Sequence, residues 1–251
     1  MRAAMARGGR LFGAISVVVL MTAPWWWSFG LRLWPMAPNC DRASPAWIDS
    51  LVGLAQQSGY PGFQLAYRQR NGQITHCAAG WASLGFLPQR MHGDHRMMYA
   101  SLSKTFTSVV ALQMVAEGRL SLTDRLVDRL GVQAPFADPR VARITVGQLL
   151  SHRAGFDRQI SPDPMQEERP WCPRQPGQLA QRHLDFAPGE RFAYSNLGYC
   201  LLGGVLEKME GMPLDHVMHN RLFGMVGEGA IRLFDGDLQG RGMAIPVFGD
   251  A

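Results

Sequence analysis

The sequence predicts an α/β (α+β) chain in which a helix and a β-hairpin precede a series of helices joined by loops. Residues 63–67 alternate apolar and polar, Asn71-Gly72 follows, and residues 74–81 form a second such run. Asn-Gly between two runs of this kind is the strongest short-range hairpin signal. From about residue 101 the pattern changes to helical segments separated by loops. The 251 residues are 47% hydrophobic and 18% charged, enough to bury a sizeable core as one large domain or two packed lobes.

Taken in order, the chain opens with Arg2, Arg7 and Arg10, an uncharged stretch over residues 11–31, and Arg32. A basic segment followed by an apolar one reads as a secretory signal, and the uncharged run is also long enough to cross a bilayer. Trp25, Trp26 and Trp27 suit a membrane interface. Residues 1–40 are therefore expected to be a cleaved signal peptide or an uncleaved membrane anchor. Either would place the body, residues 41–251, on the extracytoplasmic or periplasmic side. Ser44-Pro45 reads as a helix start, with Trp47, Leu51, Leu54 and Ala55 as the apolar stripe and Gly59 as the stop. The hairpin follows. A helix is expected over residues 102–117, ended by Gly118, and Thr145 caps a short one containing Val146, Leu149 and Leu150. Residues 155–177, rich in Pro and charge, read as a long surface loop. A helix over about 197–209 ends at Gly211, and Pro213 opens another to about residue 223. The Gly-rich last 25 residues carry no assignable period.

The net charge of +5 does not indicate a nucleic-acid partner. Four of the 25 basic residues precede Cys40 and all 20 acidic residues follow it, which leaves 21 basic against 20 acidic from Asp41 onward. The cysteines, Cys40, Cys77, Cys172 and Cys200, form no C-x-x-C pair and give no support to a zinc or thioredoxin-like site. In an exported chain four cysteines invite disulfides with three possible connectivities, against the alternative of buried thiols. A Cys172–Cys200 bridge is expected. It would tie the long loop to the segment one helical turn after Asn196.

Chemistry gathers at Ser101-Leu-Ser-Lys104, at the start of the predicted 102–117 helix. Residues i and i+3 share a helix face, so hydroxyl and amine are expected to meet. Serine is a weak nucleophile that needs a base within hydrogen-bond reach, and lysine serves where its surroundings favour the neutral amine. Lys104 is one of two lysines among 25 basic residues, and the other 23 are arginines, which cannot act as bases. Tyr194-Ser-Asn196 adds a phenol able to pass a proton and an amide able to orient a lysine or a substrate.

Three segments resemble, in order, landmarks of the class C beta-lactamase-related, penicillin-recognising serine hydrolases. They are Tyr99-Ala-Ser-Leu-Ser-Lys-Thr-Phe-Thr107, Leu149-Leu-Ser-His-Arg-Ala-Gly155 and Pro188-Gly-Glu-Arg-Phe-Ala-Tyr-Ser-Asn-Leu-Gly-Tyr199. That family includes D-alanyl-D-alanine carboxypeptidases and esterases, and the resemblance covers roughly residues 45–225. It implies a beta-lactamase/transpeptidase-like fold: an antiparallel sheet flanked by helices, plus an all-helical lobe. It also implies Ser101 as acylated nucleophile, Lys104 and Tyr194 as the proton-transfer pair, and Asn196 as the residue orienting substrate and lysine. The 149–155 segment is structural in this comparison, and His152 receives no catalytic role.

The family's third motif, K-x-G or H-x-G on a strand after the tyrosine, has no match after Asn196. The expectation is a C-terminally truncated or degenerate copy, lacking its last strands and one oxyanion donor, poor in turnover and open to a partner chain that completes the sheet. The competing function is an inactive, membrane-tethered binding or sensor homologue. No G-x-S-x-G suggests a Ser-His-Asp enzyme, and His92-Gly-Asp-His95 reads as a polar loop more than a metal site. The expected partner is a small-molecule or peptide substrate, with no metal or cofactor.

Overall fold

The computed structural model describes residues 37–43, 45–83, 88–164, 166–167 and 171–226. The expectations for the leader over residues 1–36, for Ser44 and for the Gly-rich tail lie outside the described residues. Among the described residues no helix is long and apolar enough to cross a membrane. The described residues divide into two compact units, one before and one after the boundary between residues 98 and 99.

The first unit contains strand β1 (Asn39–Cys40), helix α1 (Ala46–Gln57), strands β2 (Gly62–Arg68) and β3 (Ile74–Ser83), and the short β4 (Gln89–Arg90). The hairpin forms where Asn71-Gly72 predicts it. Its loop has Gly72 at φ 84, a left-handed conformation that glycine adopts without a side-chain clash. The sheet runs β1-β3-β2, all antiparallel, with β4 also paired to β3. Two strands alone would be marginal, and the hairpin is not left as the pair expected from sequence. Cys40 pairs with Cys77 in register and is bonded to it by a disulfide, which anchors β1.

The face of α1 turned to the sheet differs from the expected stripe. Ile48 and Val52 are buried with Cys77 and Ala79, whereas Trp47, Leu51 and Leu54 are exposed. Both sets recur at helical spacing, so periodicity alone could not choose between them. Alternation along β3 puts Ala78 and Ala82 with Met91 in a separate small cluster.

The second unit is helical: α2 (Ser103–Ala116), α3 (Leu126–Leu130), α4 (Val146–Leu150), α5 (Asn196–Glu210) and α6 (Leu214–Arg221), with 3-10 turns at Ala100–Leu102, Pro139–Arg143, Pro176–Gln181 and Phe223–Val226. Its axis is α5, which touches α2, α3, α4 and α6 and buries Leu197, Leu201, Leu202, Val205 and Leu206. Thr145 caps α4 as expected: its hydroxyl accepts from the Gln148 N–H at 3.3 Å, and the Gln148 side chain accepts from the Thr145 N–H at 2.9 Å. Gly211 ends α5 at φ 69.

The described residues of the 155–177 segment have the irregular backbone expected of it, but they form more than a surface loop. Phe156, Asp163, Trp171 and Cys172 are buried, and Cys172 is bonded to Cys200 on α5. Replacing Cys172 and Cys200 together by serine should cost about 3.5 kcal/mol, the loop-entropy value for a bridge over 28 residues. Chemical denaturation of oxidised wild type and the double variant measures the difference, and equal midpoints would contradict it.

Asp138 organises the turn at Pro139–Arg143. Its carboxylate accepts from the backbone N–H of Arg140 at 2.9 Å, from the Arg140 guanidinium, and from the Leu184 N–H at 2.9 Å. Hydrogen bonding from Arg140 outweighs the opposing effect of burial and, with the Leu184 N–H, holds this carboxyl well below the usual aspartate value. The unfolded chain therefore takes up the proton first. The stabilisation is complete above the ordinary carboxylate pKa and is lost as pH falls below it toward the depressed folded value. Asp138→Asn should lower stability at neutral pH by about 1–2 kcal/mol, the cost of a lost charge-assisted bond and cap. It should also make the loss of stability shallower below about pH 4. Denaturation curves over a pH series check both effects.

Candidate active site

Ser101 lies in the 3-10 turn that leads into α2, and its side chain is exposed. The residue before it, Ala100, has φ 44, which costs a side chain with a Cβ about 1–2 kcal/mol. Such strain persists where the surroundings impose it. Here the Ser103 hydroxyl donates to the Ala100 carbonyl at 2.7 Å, and the Leu102 N–H donates to the Tyr99 carbonyl at 2.9 Å. Ser103 is thereby committed to the turn, and Ser101 is left facing outward. The nucleophile candidate thus lies at the start of the helix, as expected, in a tight turn that leads into it.

Tyr194 and Asn196 flank the start of α5. Ser195 between them is the cap, and its hydroxyl accepts from the Gly198 N–H at 3.0 Å. This places Tyr194 just outside the helix and Asn196 on its first turn. The structure brings all four expected residues together. The phenol of Tyr194 donates to Ser101 Oγ at 2.7 Å, and Lys104 Nζ donates to Asn196 Oδ1 at 2.7 Å. Lys104 Nζ also stands 4.9 Å from the centre of the Tyr194 ring. The expected direct meeting of Ser101 and Lys104 is replaced by a relay, because Oγ takes its hydrogen bond from Tyr194 while the amine is held by Asn196. The helical offset of three residues brings Lys104 to the right face, but only the α5 entrance decides which oxygen it serves.

The electrostatics suit proton transfer. Burial alone would push the Tyr194 phenol up. Hydrogen bonding from Lys104 and with Ser101, with the charges of Lys104 and Arg158, outweighs it and leaves the phenol below its ordinary value of 10.0. The phenolate is thus more accessible here than in a free tyrosine, and once ionised the same oxygen can accept the serine proton.

Two residues that the sequence reading left without a role also meet the site. Asp163, buried in the long loop, accepts from Asn196 Nδ2 at 2.8 Å. A carboxylate only accepts, so this contact turns the amide oxygen of Asn196 toward Lys104. An acidic residue in a charged loop carries no pattern that would have singled it out. His152 stacks on Tyr194 with ring centres 4.6 Å apart and takes the Ser195 N–H at Nδ1, at 3.2 Å. Its presence in the Leu149–Gly155 motif was a usable signal. His92 and His95 belong to the first unit, where the His92 N–H donates to His95 Nδ1 at 2.9 Å and Gln64 bonds both carbonyls, forming a polar turn.

Of the five tyrosines, Tyr194 should ionise below the ordinary phenol value, and Tyr194→Phe should remove that step from a tyrosinate absorbance titration. Lys104→Met should move the step upward, because both the donor and the charge that favour the phenolate are gone. A titration unchanged by Lys104→Met would show that the lysine does not act on the phenol.

The Beta-lactamase family profile matches residues 47–233. The probable fimbrial assembly protein FimD, serogroup H1, of Dichelobacter nodosus is 39% identical over 71% of this chain and 46% of its own length. Penicillin-binding protein 4 of Amycolatopsis lactamdurans is 29% identical over 72% of this chain and 47% of its own. The chain therefore spans about half the length of these curated relatives. Among solved structures, the penicillin binding protein from Bacillus halodurans superimposes with a TM-score of 0.56 at 26% identity, covering 72% of this chain and 55% of that one. The matched span contains every side chain of the relay, and with it the chain belongs to the Beta-lactamase family of hydrolases and has the beta-lactamase/transpeptidase-like fold.

Proposed function

We propose that the protein is a serine hydrolase that passes its substrate through an acyl-enzyme on Ser101. The observation that carries this reading is the 2.7 Å contact between the Tyr194 phenol and Ser101 Oγ, with Lys104 Nζ against the same ring. Once the Tyr194 phenol has given its proton to solvent, Oγ bonds to the carbonyl carbon of an amide or ester and passes its own proton to the phenolate. The tetrahedral intermediate collapses, the C–N or C–O bond breaks, and the phenol returns the proton to the leaving group. Water then attacks the ester on Ser101, giving its proton to the phenolate, and the phenol passes that proton to Oγ as the acid leaves, restoring Ser101 and the phenolate. Lys104 stabilises the phenolate throughout, and Asn196, held by Asp163, keeps the amine in place and is available to the substrate amide. The Ser101 N–H is a candidate oxyanion donor.

The substrate class proposed is a β-lactam, a D-alanyl-D-alanine peptide or a short ester. The setting proposed is an extracytoplasmic one, with the N-terminal segment as signal or anchor. Two disulfides, Cys40–Cys77 and Cys172–Cys200, support that setting, since such bonds persist in oxidising compartments.

A fluorophosphonate or penicillin probe should label Ser101, as read by intact mass and peptide mapping. Ser103 and Ser195 should stay unlabelled, because their hydroxyls are committed to the Ala100 carbonyl and the α5 cap. Tyr194→Phe should slow labelling by about 10²-fold or more, within the range for losing a proton-transfer partner. An adduct on Ser103 or Ser195, or no adduct on any serine, would reject the assignment. Labelling without turnover of a chromogenic β-lactam or ester would favour a sensor over a hydrolase.

A further inference from the structure

We propose that His152 is a positioning residue that sets where the Tyr194 phenol meets Ser101, by gripping the backbone on both sides of Tyr194 and backing its ring. This role rests on the serine-hydrolase reading, and it assigns a function to a segment otherwise read as structural.

The grip is visible in the contacts. His152 follows α4 and has φ 56, a left-handed conformation unfavourable for a histidine. Its carbonyl accepts from the Ala193 N–H at 2.9 Å, and its Nδ1 accepts from the Ser195 N–H at 3.2 Å. Residues 193 and 195 are thus both bonded to one residue, with Tyr194 between them. The imidazole lies 4.6 Å from the Tyr194 ring at 30° and 4.8 Å from the Tyr199 ring at 38°, and Phe192 meets its edge side at 5.6 Å. Tyr199 is itself held, since its hydroxyl donates to the Leu150 carbonyl at 3.0 Å and bonds the Ser108 hydroxyl at 2.9 Å. A tyrosine has few torsions. With its flanking peptides bonded and a ring stacked on it, the position of the phenol oxygen is set. The strained φ at His152 is the backbone cost of presenting carbonyl and imidazole to the same strip of chain.

The grip works in one protonation state. Nδ1 accepts from the Ser195 N–H only when it carries no proton, so the ring is neutral with its hydrogen on Nε2. The surrounding groups agree. Lys104 on α2 bonds Asn196, Arg158 stands 5.5 Å from the Tyr194 ring, Tyr194 and Tyr199 flank the imidazole, and Asp163 is engaged with Asn196 and Arg158. Burial first, and then the charge of Lys104, push the imidazole below its ordinary value. Protonation would set N–H against N–H at Ser195 and release the strip. His152 acts through Tyr194 and needs no contact with the substrate.

The experiment compares wild type, His152→Ala and His152→Asn in the full chain. Asparagine tolerates positive φ, and its side-chain oxygen is an acceptor in the place of Nδ1 that does not titrate. The rate of Ser101 labelling by a fluorophosphonate is followed against pH. His152→Ala should lower it by about tenfold to a hundredfold, the cost of misplacing a reacting group by about 1 Å. His152→Asn should recover most of that rate. Wild type should lose labelling as pH falls through a midpoint below the ordinary histidine value, and His152→Asn should lack that step. In parallel, the Ser195 amide resonance is followed by NMR. It should titrate with His152 in wild type and stay flat in His152→Asn. If wild type is labelled but His152→Ala keeps the wild-type rate, or His152→Asn keeps the acid step, the proposal is overturned and the hydrolase reading stands. If wild type is never labelled, the hydrolase reading falls, and the Ser195 amide decides on His152 alone: no titration in wild type overturns it.

Discussion

The hydrogen bond from the Gly198 N–H to the Ser195 hydroxyl closes the N-terminus of α5, and the relay is arranged around that cap. A serine cap contributes about 1 kcal/mol, but its geometric effect is larger. It sends the chain into α5 at one angle, with Tyr194 before the helix and Asn196 on its first turn. The helix beyond is pinned by Leu201, Leu202, Val205 and Leu206, all essentially without solvent exposure, so its entrance cannot swing without opening the core. The accuracy of the relay is inherited from a buried helix, while Ser101 is exposed and Tyr194 half-buried.

A single charge then does two things. Lys104 favours the phenolate of Tyr194 through its hydrogen bond and charge, and it adds to burial, the larger effect, in disfavouring the imidazolium of His152. Those are the two states that the proposed mechanism uses: a phenol ready to lose its proton, and a histidine that keeps Nδ1 bare for the Ser195 N–H. Asn196 holds the ammonium where it acts on both, and the buried carboxylate of Asp163 keeps the amide of Asn196 from turning over. Each polar group at the α5 entrance has a partner whose chemistry permits one orientation, which is how a small polar network becomes specific.

The long loop shows why such networks escape local rules. Its prolines and charges mark irregular backbone, and irregular backbone it is. Yet Phe156, Trp171 and Cys172 bury into the helical core, and Asp163 reaches Asn196 from 33 residues away. Gly155 allows the first bend, at φ 101 and within 2.8 Å of the Phe186 carbonyl for any added Cβ. A disulfide to α5 holds the far end.

By itself the sequence determined what depends on near neighbours. The hairpin about Asn71-Gly72, the Thr145 cap and the glycine stop of α5 follow from spacings of a few residues, and each is present in the structure, where Ser101, Lys104, Tyr194 and Asn196, singled out by two short motifs and a family resemblance, lie together. Tertiary structure alone decided the rest. It chose Ile48 and Val52 over Trp47, Leu51 and Leu54 as the inward face of α1, because both stripes have the same period and only the opposing sheet distinguishes them. It added β1 and β4 to the hairpin through a disulfide and through pairing too short to leave a periodic trace. It gave the Ser101 hydroxyl to Tyr194 and the Lys104 amine to Asn196, and it brought in His152 and Asp163, because hydrogen-bond partners 33 to 93 residues apart are assigned by packing and not by pattern.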